Sequence, residues 1–311
     1  MRVVVSAPAE AAERWRDGLA QAAPELDFEL WPEVADGDTD AIEAAVVWNA
    51  PAELYARCRH LKCICVLGAG ADQLFAPGID LPEVPIVRIV DPVMALRMAS
   101  FVLAAILHWQ RDFHDYARQQ RERVWRKHYS RDSHRVRVGV MGLGAMGRAT
   151  AKLLVANGYD VAGWSRSQHL VPGVRGFAGE PGWPPFLARS DYLACLLPLT
   201  AETTGLLGAD TFARLPEGAV VINAGRGAHL VEADLLAALD AGRLRGAVLD
   251  VFETEPLPPE HPFWGHPRIL LTPHVASITN LETGVVQIAA ALRTVRDGGV
   301  PGNLVDPARG Y

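Results

Sequence analysis

The sequence predicts an α/β protein made of two doubly wound parallel-sheet domains. Three observations predict it. Short apolar runs alternate with helical stretches over residues 1–90 and again from Val136 onward, the pattern of strand–helix–strand units on parallel sheets. A glycine-rich turn, Gly142-Leu-Gly-Ala-Met-Gly147, stands between an apolar strand and a helix of the second series. The chain has 311 residues, enough for about two domains of ordinary size.

In chain order, residues 3–6, 45–48, 63–67 and 86–90 read as strands, with helices at 9–23 and 51–59 between them. This segment makes a small α/β domain. Residues 94–118 read as one long helix whose Met94, Met98, Phe101, Val102, Ala105 and Leu107 form a buried face. A polar, basic arm follows at 119–135 and carries Trp125 and Tyr129. Exposed aromatics in a charged arm suggest the surface of a second subunit; the alternative is an ordinary surface loop. The second series places strands at 136–141, 160–164, 192–196, 219–223, 246–250 and 269–271. Residues 279–296 read as a helix that comes too late to start another unit and returns to the first domain.

Composition narrows the class. Half the residues are hydrophobic and 21% are charged, with a net charge of −6 and a pI of about 5.9. Nothing favours a polyanion, so no nucleic-acid partner is expected. No apolar run reaches the ~20 residues of a membrane helix, so no membrane partner is expected either. The N-terminus reads as a strand rather than a signal peptide. Cys58, Cys63, Cys65 and Cys195 read as buried, reduced thiols, which suits the cytoplasm. A metal site at Cys63 and Cys65 needs two more ligands, and only His60 offers itself, so no metal is expected.

The glycine-rich turn carries the first chemical reading. In Gly142-x-Gly144-x-x-Gly147 the first glycine allows a tight turn, the second lets a backbone approach a pyrophosphate, and the third lets helix and strand pack closely. Leu143, Ala145 and Met146 complete the loop, which ends at a helix N-terminus suited to anions. This makes the second domain Rossmann-like. Sites for NAD carry an acid at the end of the second strand; here the strand ends in Trp164-Ser165-Arg166-Ser167. Arg166 matches a 2′-phosphate through its guanidinium fork, with the serines as donors, so NADP(H) is preferred and NAD(H) remains possible.

Three further segments follow predicted strands on the ligand side of such a sheet. They are Asn223-Ala224-Gly225-Arg226, Asp250-Val-Phe-Glu-Thr-Glu255 and Thr272-Pro-His274. Reduction of a 2-keto acid needs these types. His274 serves as the proton donor, Glu255 favours its charged form, and Arg226 holds the substrate carboxylate and polarises the carbonyl. Asp250 is placed to position a nicotinamide. Taken singly, each has a plain alternative: a core histidine, a surface acid, a helix-capping arginine.

Several ordered motifs then resemble one family. The glycine-rich turn, the run from Leu197-Pro198 to Thr203-Thr204, Ile222-Asn-Ala-Gly-Arg-Gly227, Leu249-Asp-Val-Phe-Glu-Thr-Glu-Pro256 and Thr272-Pro-His-Val-Ala276 look like those of D-2-hydroxyacid dehydrogenases. The likeness is strongest to the bacterial glyoxylate/hydroxypyruvate reductase A type, through Val47-Trp48, Leu67-Gly-Ala-Gly-Ala-Asp72, Leu107-His-Trp109, Trp164-Ser-Arg166 and Ala308-Arg-Gly-Tyr311. The resemblance implies two Rossmann-like domains: a cofactor domain at 98–277 inserted into a discontinuous substrate domain at 1–97 and 278–311. It implies a homodimer acting on a small 2-keto or 2-hydroxy acid. It also implies cofactor contacts from Leu197, Pro198, Thr203, Ala224 and Gly225, and substrate contacts from Ala69 and Gly70. Trp48 walls the pocket or simply packs in the core. The family's glutamate early in the long helix is absent, with Ser100 in about its place beside Arg97. Two rival readings stay open: a non-catalytic NAD(P)-sensing protein, and a dehydrogenase of a larger or phosphorylated acid, for which Arg88 and Arg97 are the candidate extra cations.

Overall fold

The computed structural model of the chain describes residues 1–31, 33–34 and 38–310. Tyr311, the last residue of the closing motif, lies outside the described residues. The chain forms two compact units, Met1–Asp91 with Thr279–Tyr311, and Pro92–Ile278.

The first unit begins with β1 (Arg2–Ser6), α1 (Ala9–Ala22), β2 (Asp27–Leu30), β3 (Ile42–Val47), α2 (Ala52–Arg57), β4 (Cys63–Val66) and β5 (Ile86–Val87). These strands form a parallel sheet of order β2-β1-β3-β4-β5. Val3 to Val5 and Cys63 to Val66 are fully buried, as strands covered on both faces must be. The edge strand β2 was not expected. Its sequence, DFEL, is half polar and makes no apolar run.

The second unit continues with α3 (Pro92–Gln110), α4 (Phe113–Glu122), β6 (Arg137–Met141), α5 (Ala145–Ala156), β7 (Asp160–Ser165), β8 (Val174–Ala178) and α6 (Gly179–Ala188). Then come β9 (Tyr192–Cys195), α7 (Ala209–Arg214), β10 (Ala219–Asn223), α8 (Glu232–Asp240), β11 (Leu244–Leu249) and β12 (Ile269–Leu271). Its parallel sheet has the order β12-β11-β10-β9-β6-β7-β8. The strand order reverses between β6 and β9, the place where such sheets bind ligands beyond their carboxyl ends. The edge strand β8 was also not foreseen, for the same reason as β2.

The expected single helix over 94–118 is instead two. Asp112 sits between α3 and α4 with φ 57°, a left-handed conformation that Asp tolerates, and its buried carboxylate accepts from Arg245. By length and composition α3 suffices to cross a membrane. Here its Met98, Val102, Ile106 and Trp109 are buried in the core of the second unit. A Cβ on Gly246 would lie 2.1 Å from the Trp109 ring, so that glycine admits the indole. Where the chain enters and leaves this unit, the Arg97 guanidinium donates to the Ile278 carbonyl at 2.8 Å and Ser277 Oγ donates to Met94 O at 2.8 Å.

The last helix, α9 (Leu281–Arg296), belongs to the first unit and packs on α1. Asn280 caps it by accepting from Glu282 N and Thr283 N. Close approach is permitted by Gly284, where a Cβ would meet the Trp15 ring at 2.6 Å. The tail then docks on the short β5: Val305 N donates to Ile86 O at 2.8 Å and Arg88 N to Asn303 O at 3.1 Å.

Candidate active site

The turn after β6 has the geometry that a dinucleotide phosphate requires. Gly142 has φ +93°, and a Cβ there would lie 2.8 Å from Leu196 O. A Cβ on Gly147 would lie 1.7 Å from Gly142 O, so no larger residue fits. Gly144 faces open space and caps α5, leaving room for an anion at the helix N-terminus. Leu143 is buried, and its carbonyl accepts from Arg148 Nε at 2.7 Å, which fixes the loop. Ala145 is exposed and Met146 half-buried.

At the end of β7 the predicted residues divide. Trp164 donates from Nε1 to Gly179 O at 2.9 Å, and its ring centroid lies 4.7 Å from that of Trp183. Ser165 is buried and donates to Ser167 O at 2.8 Å, shaping the loop. Arg166 and Ser167 are exposed at its tip, where a phosphate in solvent can reach them.

The segment after β10 carries Arg226. Asn223 Nδ2 donates to Arg226 O at 2.9 Å, Gly225 N donates to Asn223 Oδ1 at 3.2 Å, and Arg226 Nη1 donates to Gly225 O at 2.8 Å. Ala224 N donates to Cys195 O at 3.2 Å, tying this segment to the end of β9. Leu197 is buried, and Thr203 is spent on its own turn: its hydroxyl accepts from Thr200 N at 2.8 Å and donates to Pro198 O at 2.9 Å. Beyond Arg226, Gly227 packs so tightly that a Cβ would lie 1.8 Å from the Phe252 carbonyl carbon. This presses the arginine segment against the 252–255 segment.

That segment holds Glu255, which organises the proton-transfer pair. Its Oε1 accepts from Phe252 N at 2.9 Å, and its Oε2 accepts from His274 Nδ1 at 2.8 Å. The two side chains remain 34% and 37% exposed, enough for a substrate to reach the imidazole. With Nδ1 committed to Glu255, Nε2 is the nitrogen left for proton transfer. Burial pushes the Glu255 carboxyl up, but the His274 hydrogen bond, the Phe252 N–H and the charges of His274 and Arg226 outweigh it and hold it below the usual glutamate range.

His274 itself has φ 54°, a left-handed turn at a non-glycine residue. Asp250 holds that turn. Its backbone carbonyl accepts from His274 N at 2.8 Å, and its carboxylate accepts from Thr272 Oγ1 at 2.6 Å, Val275 N at 2.9 Å and Ala276 N at 2.9 Å. Asp250 is 1% exposed, and its carboxylate holds the histidine loop. This role in the loop stands beside the expectation that Asp250 positions a nicotinamide.

In the first unit, Trp48 lies on Gly68, where a Cβ would meet its ring at 2.5 Å, and so packs directly beneath the Ala69–Gly70 turn. Ala69 and Gly70 are half-buried, and Ala69 O accepts from Arg88 Nη1 at 3.4 Å. Arg88 therefore braces this turn. Sequence reasoning passed over one polar residue of the second unit, His229, which is fully buried behind Arg226. Its signal was the Arg226-Gly-Ala-His229 spacing, an i to i+3 pair across a tight turn. Of the histidines expected to be structural, His261 pairs with Glu232 at 3.0 Å and His114 packs on Trp109.

Comparison with known proteins adds independent findings. The family described as "D-isomer specific 2-hydroxyacid dehydrogenase, NAD binding domain" matches residues 103–276. A glyoxylate/hydroxypyruvate reductase A from Serratia proteamaculans is 40% identical over the full length of both chains. The crystal structure of a D-isomer specific 2-hydroxyacid dehydrogenase from Xanthobacter autotrophicus, in complex with NADPH and MES, superposes with a TM-score of 0.93 at 42% identity, covering 100% of this chain and 99% of that one. An NADPH-dependent glyoxylate/hydroxypyruvate reductase from Sinorhizobium meliloti, in complex with NADP and sulfate, gives a TM-score of 0.92 at 36% identity, with 100% and 99% covered.

Proposed function

The chain belongs to the D-isomer specific 2-hydroxyacid dehydrogenase family, and from that premise we propose that it reduces a small 2-keto acid of the glyoxylate or hydroxypyruvate kind to the 2-hydroxy acid at the expense of NADPH. The observation that carries this reading is the 2.8 Å bond from His274 Nδ1 to Glu255, on a segment pressed against the one bearing Arg226.

The residues of the turn Gly142–Gly147 hold the cofactor pyrophosphate, Leu197, Pro198, Thr203, Ala224 and Gly225 form the walls beside it, and Arg166 with Ser165 and Ser167 receives the 2′-phosphate. When bound, the cofactor supplies the hydride. Arg226 grips the keto acid's carboxylate and draws electron density toward the carbonyl oxygen. As that oxygen gains negative charge, His274 delivers the proton from Nε2, and the Glu255 carboxylate stabilises the imidazolium that preceded the transfer. Within the first unit, the backbone N–H groups of Ala69 and Gly70 and the Trp48 side chain, packed against Gly68, are read as substrate contacts. Asp250 supports the reaction indirectly by fixing the 272–276 loop.

The working form in this reading is a homodimer, and the exposed Trp125 and Tyr129 of the polar arm support it. All four cysteines are buried and unbridged, which supports a reducing compartment such as the cytoplasm.

The test is His274→Ala. Turnover of glyoxylate with NADPH should fall by about a thousandfold while NADPH still binds, measured by cofactor fluorescence alongside steady-state kinetics. Near-normal turnover would remove His274 as the acid.

A further inference from the structure

We propose that His229 is a positioning residue for the substrate clamp, linking the backbone of Arg226 to the carbonyl of Pro198 on the neighbouring cofactor-side turn. This rests on the reading of Arg226 as the carboxylate ligand. The imidazole is fully buried, and its two nitrogens are used in two directions. Arg226 N donates to Nδ1 at 3.0 Å, and with the proton on Nε2 the ring donates to Pro198 O at 3.2 Å. Pro198 O also accepts from Thr203 Oγ1, so the ring joins a turn that is already closed on itself. A Cβ on Gly225 would lie 3.0 Å from the ring and 3.1 Å from Leu197 O, so ring, glycine and carbonyl leave no slack between the two segments.

The consequence is mechanical. Without the ring the Arg226 N–H loses its acceptor, and the arginine segment shifts to find another. A shift of the Arg226 backbone moves the guanidinium off the substrate carboxylate, and clamps of this kind lose rate steeply with sub-ångström to ångström displacement. Pro198 O keeps Thr203 Oγ1 as a donor, so the loss of the ring there loosens the link between the two turns without leaving the carbonyl unpaired. An apolar side chain of the same size at position 229 keeps the packing and loses both links.

Four substitutions separate the links. His229→Phe places a slightly larger apolar ring in the site and makes neither bond, while His229→Leu, smaller in its reach, makes neither bond without the added ring volume. His229→Asn presents a carbonyl oxygen near the Nδ1 position and keeps the acceptor for Arg226 N. His229→Gln reaches the Nε2 position and keeps the donor to Pro198 O. Steady-state kinetics with glyoxylate and NADPH, with thermal unfolding recorded for each variant, give the readout. The Phe and Leu variants should raise the KM for glyoxylate by about tenfold or more. The Asn variant should recover most of that loss, and the Gln variant, which restores only the bond to Pro198 O, should not. If the Phe variant does not fold, the contrast between Asn and Gln decides alone. Equal losses in Asn and Gln that follow unfolding temperature, or an unchanged KM for glyoxylate in the Phe variant, would overturn the proposal. Arg226→Gln is the control for the underlying reading: if it leaves the KM for glyoxylate unchanged, the clamp assignment itself fails, whereas a large loss there with none in His229→Phe removes only the role of His229.

Discussion

Glu255 and Arg166 are the two proposed site residues whose charges can be tested most directly. Glu255 keeps its charge although burial opposes it, because His274 and the Phe252 N–H both donate to it. Its carboxyl titrates below the ordinary glutamate value of 4.5, so the contact is intact above that value and is lost as pH falls through the lowered one. At neutral pH the imidazole therefore always faces an anion. Arg166 lies exposed at the tip of the loop after β7, and in the proposed reading a 2′-phosphate gives its guanidinium a fixed, doubly charged, bidentate partner. Arg166→Ala should raise the Kd for NADPH by about tenfold to a hundredfold and leave the Kd for NADH within about threefold, by fluorescence titration. Equal losses for the two cofactors would remove the 2′-phosphate contact. Both residues were marked by their neighbours in sequence. Asp250 was marked too, but its occupation was not: only the coordinates place its carboxylate against the backbone of Val275 and Ala276.

At the scale of elements, the switch point of the larger sheet is clamped from its far end. Asp191, just before β9, receives the Arg137 backbone N–H at 3.1 Å and its guanidinium at 2.8 Å, while Arg137 opens β6. Burial raises the Asp191 carboxyl, but Arg137, its backbone N–H and Arg131 outweigh it and lower it. The pair thus stabilises the fold above the ordinary aspartate value of 3.8 and ceases to do so as pH falls through the lowered folded value. Since Arg137 is 40% exposed, screening limits the effect, and Asp191→Asn should cost about 1–2 kcal/mol at pH 7 by urea unfolding. The difference from the unmodified protein should shrink once the pH is taken below 3.8; a constant difference would show that charge is not its origin. Element boundaries were the least legible part of the sequence. Nothing local announces the break at Asp112, which lacks a flanking glycine or proline and is held by Arg245, 133 residues away. The edge strands β2 and β8 were unreadable because a half-exposed strand has no continuous apolar run.

For the molecule as a whole, the polar arm sets the question of assembly. Trp125 is 94% exposed and Tyr129 95%, an arrangement that costs favourable burial unless a partner covers it. The chain should sediment as a dimer, and Trp125→Ser with Tyr129→Ser should shift it toward monomer at micromolar concentration, in analytical ultracentrifugation. A monomeric parent protein, or a double variant that dimerises as well as the parent, would assign the two aromatics another purpose.

The sequence by itself determined the fold class, the place of the glycine-rich turn, and that Arg226, Glu255 and His274 follow successive strand ends of one sheet. Those depend on local rules: alternation of apolar runs, glycine where a Cβ cannot fit, and charged residues just after strand ends. Only the tertiary structure decided that both Nδ1 of His274 and Phe252 N donate to Glu255, that the Asp250 carboxylate holds the 272–276 loop, and that His229 stands behind Arg226. Each of those is a contact between segments that sequence separation does not specify. The pairing is set by sheet order and close packing, and both exist only once the whole unit has folded.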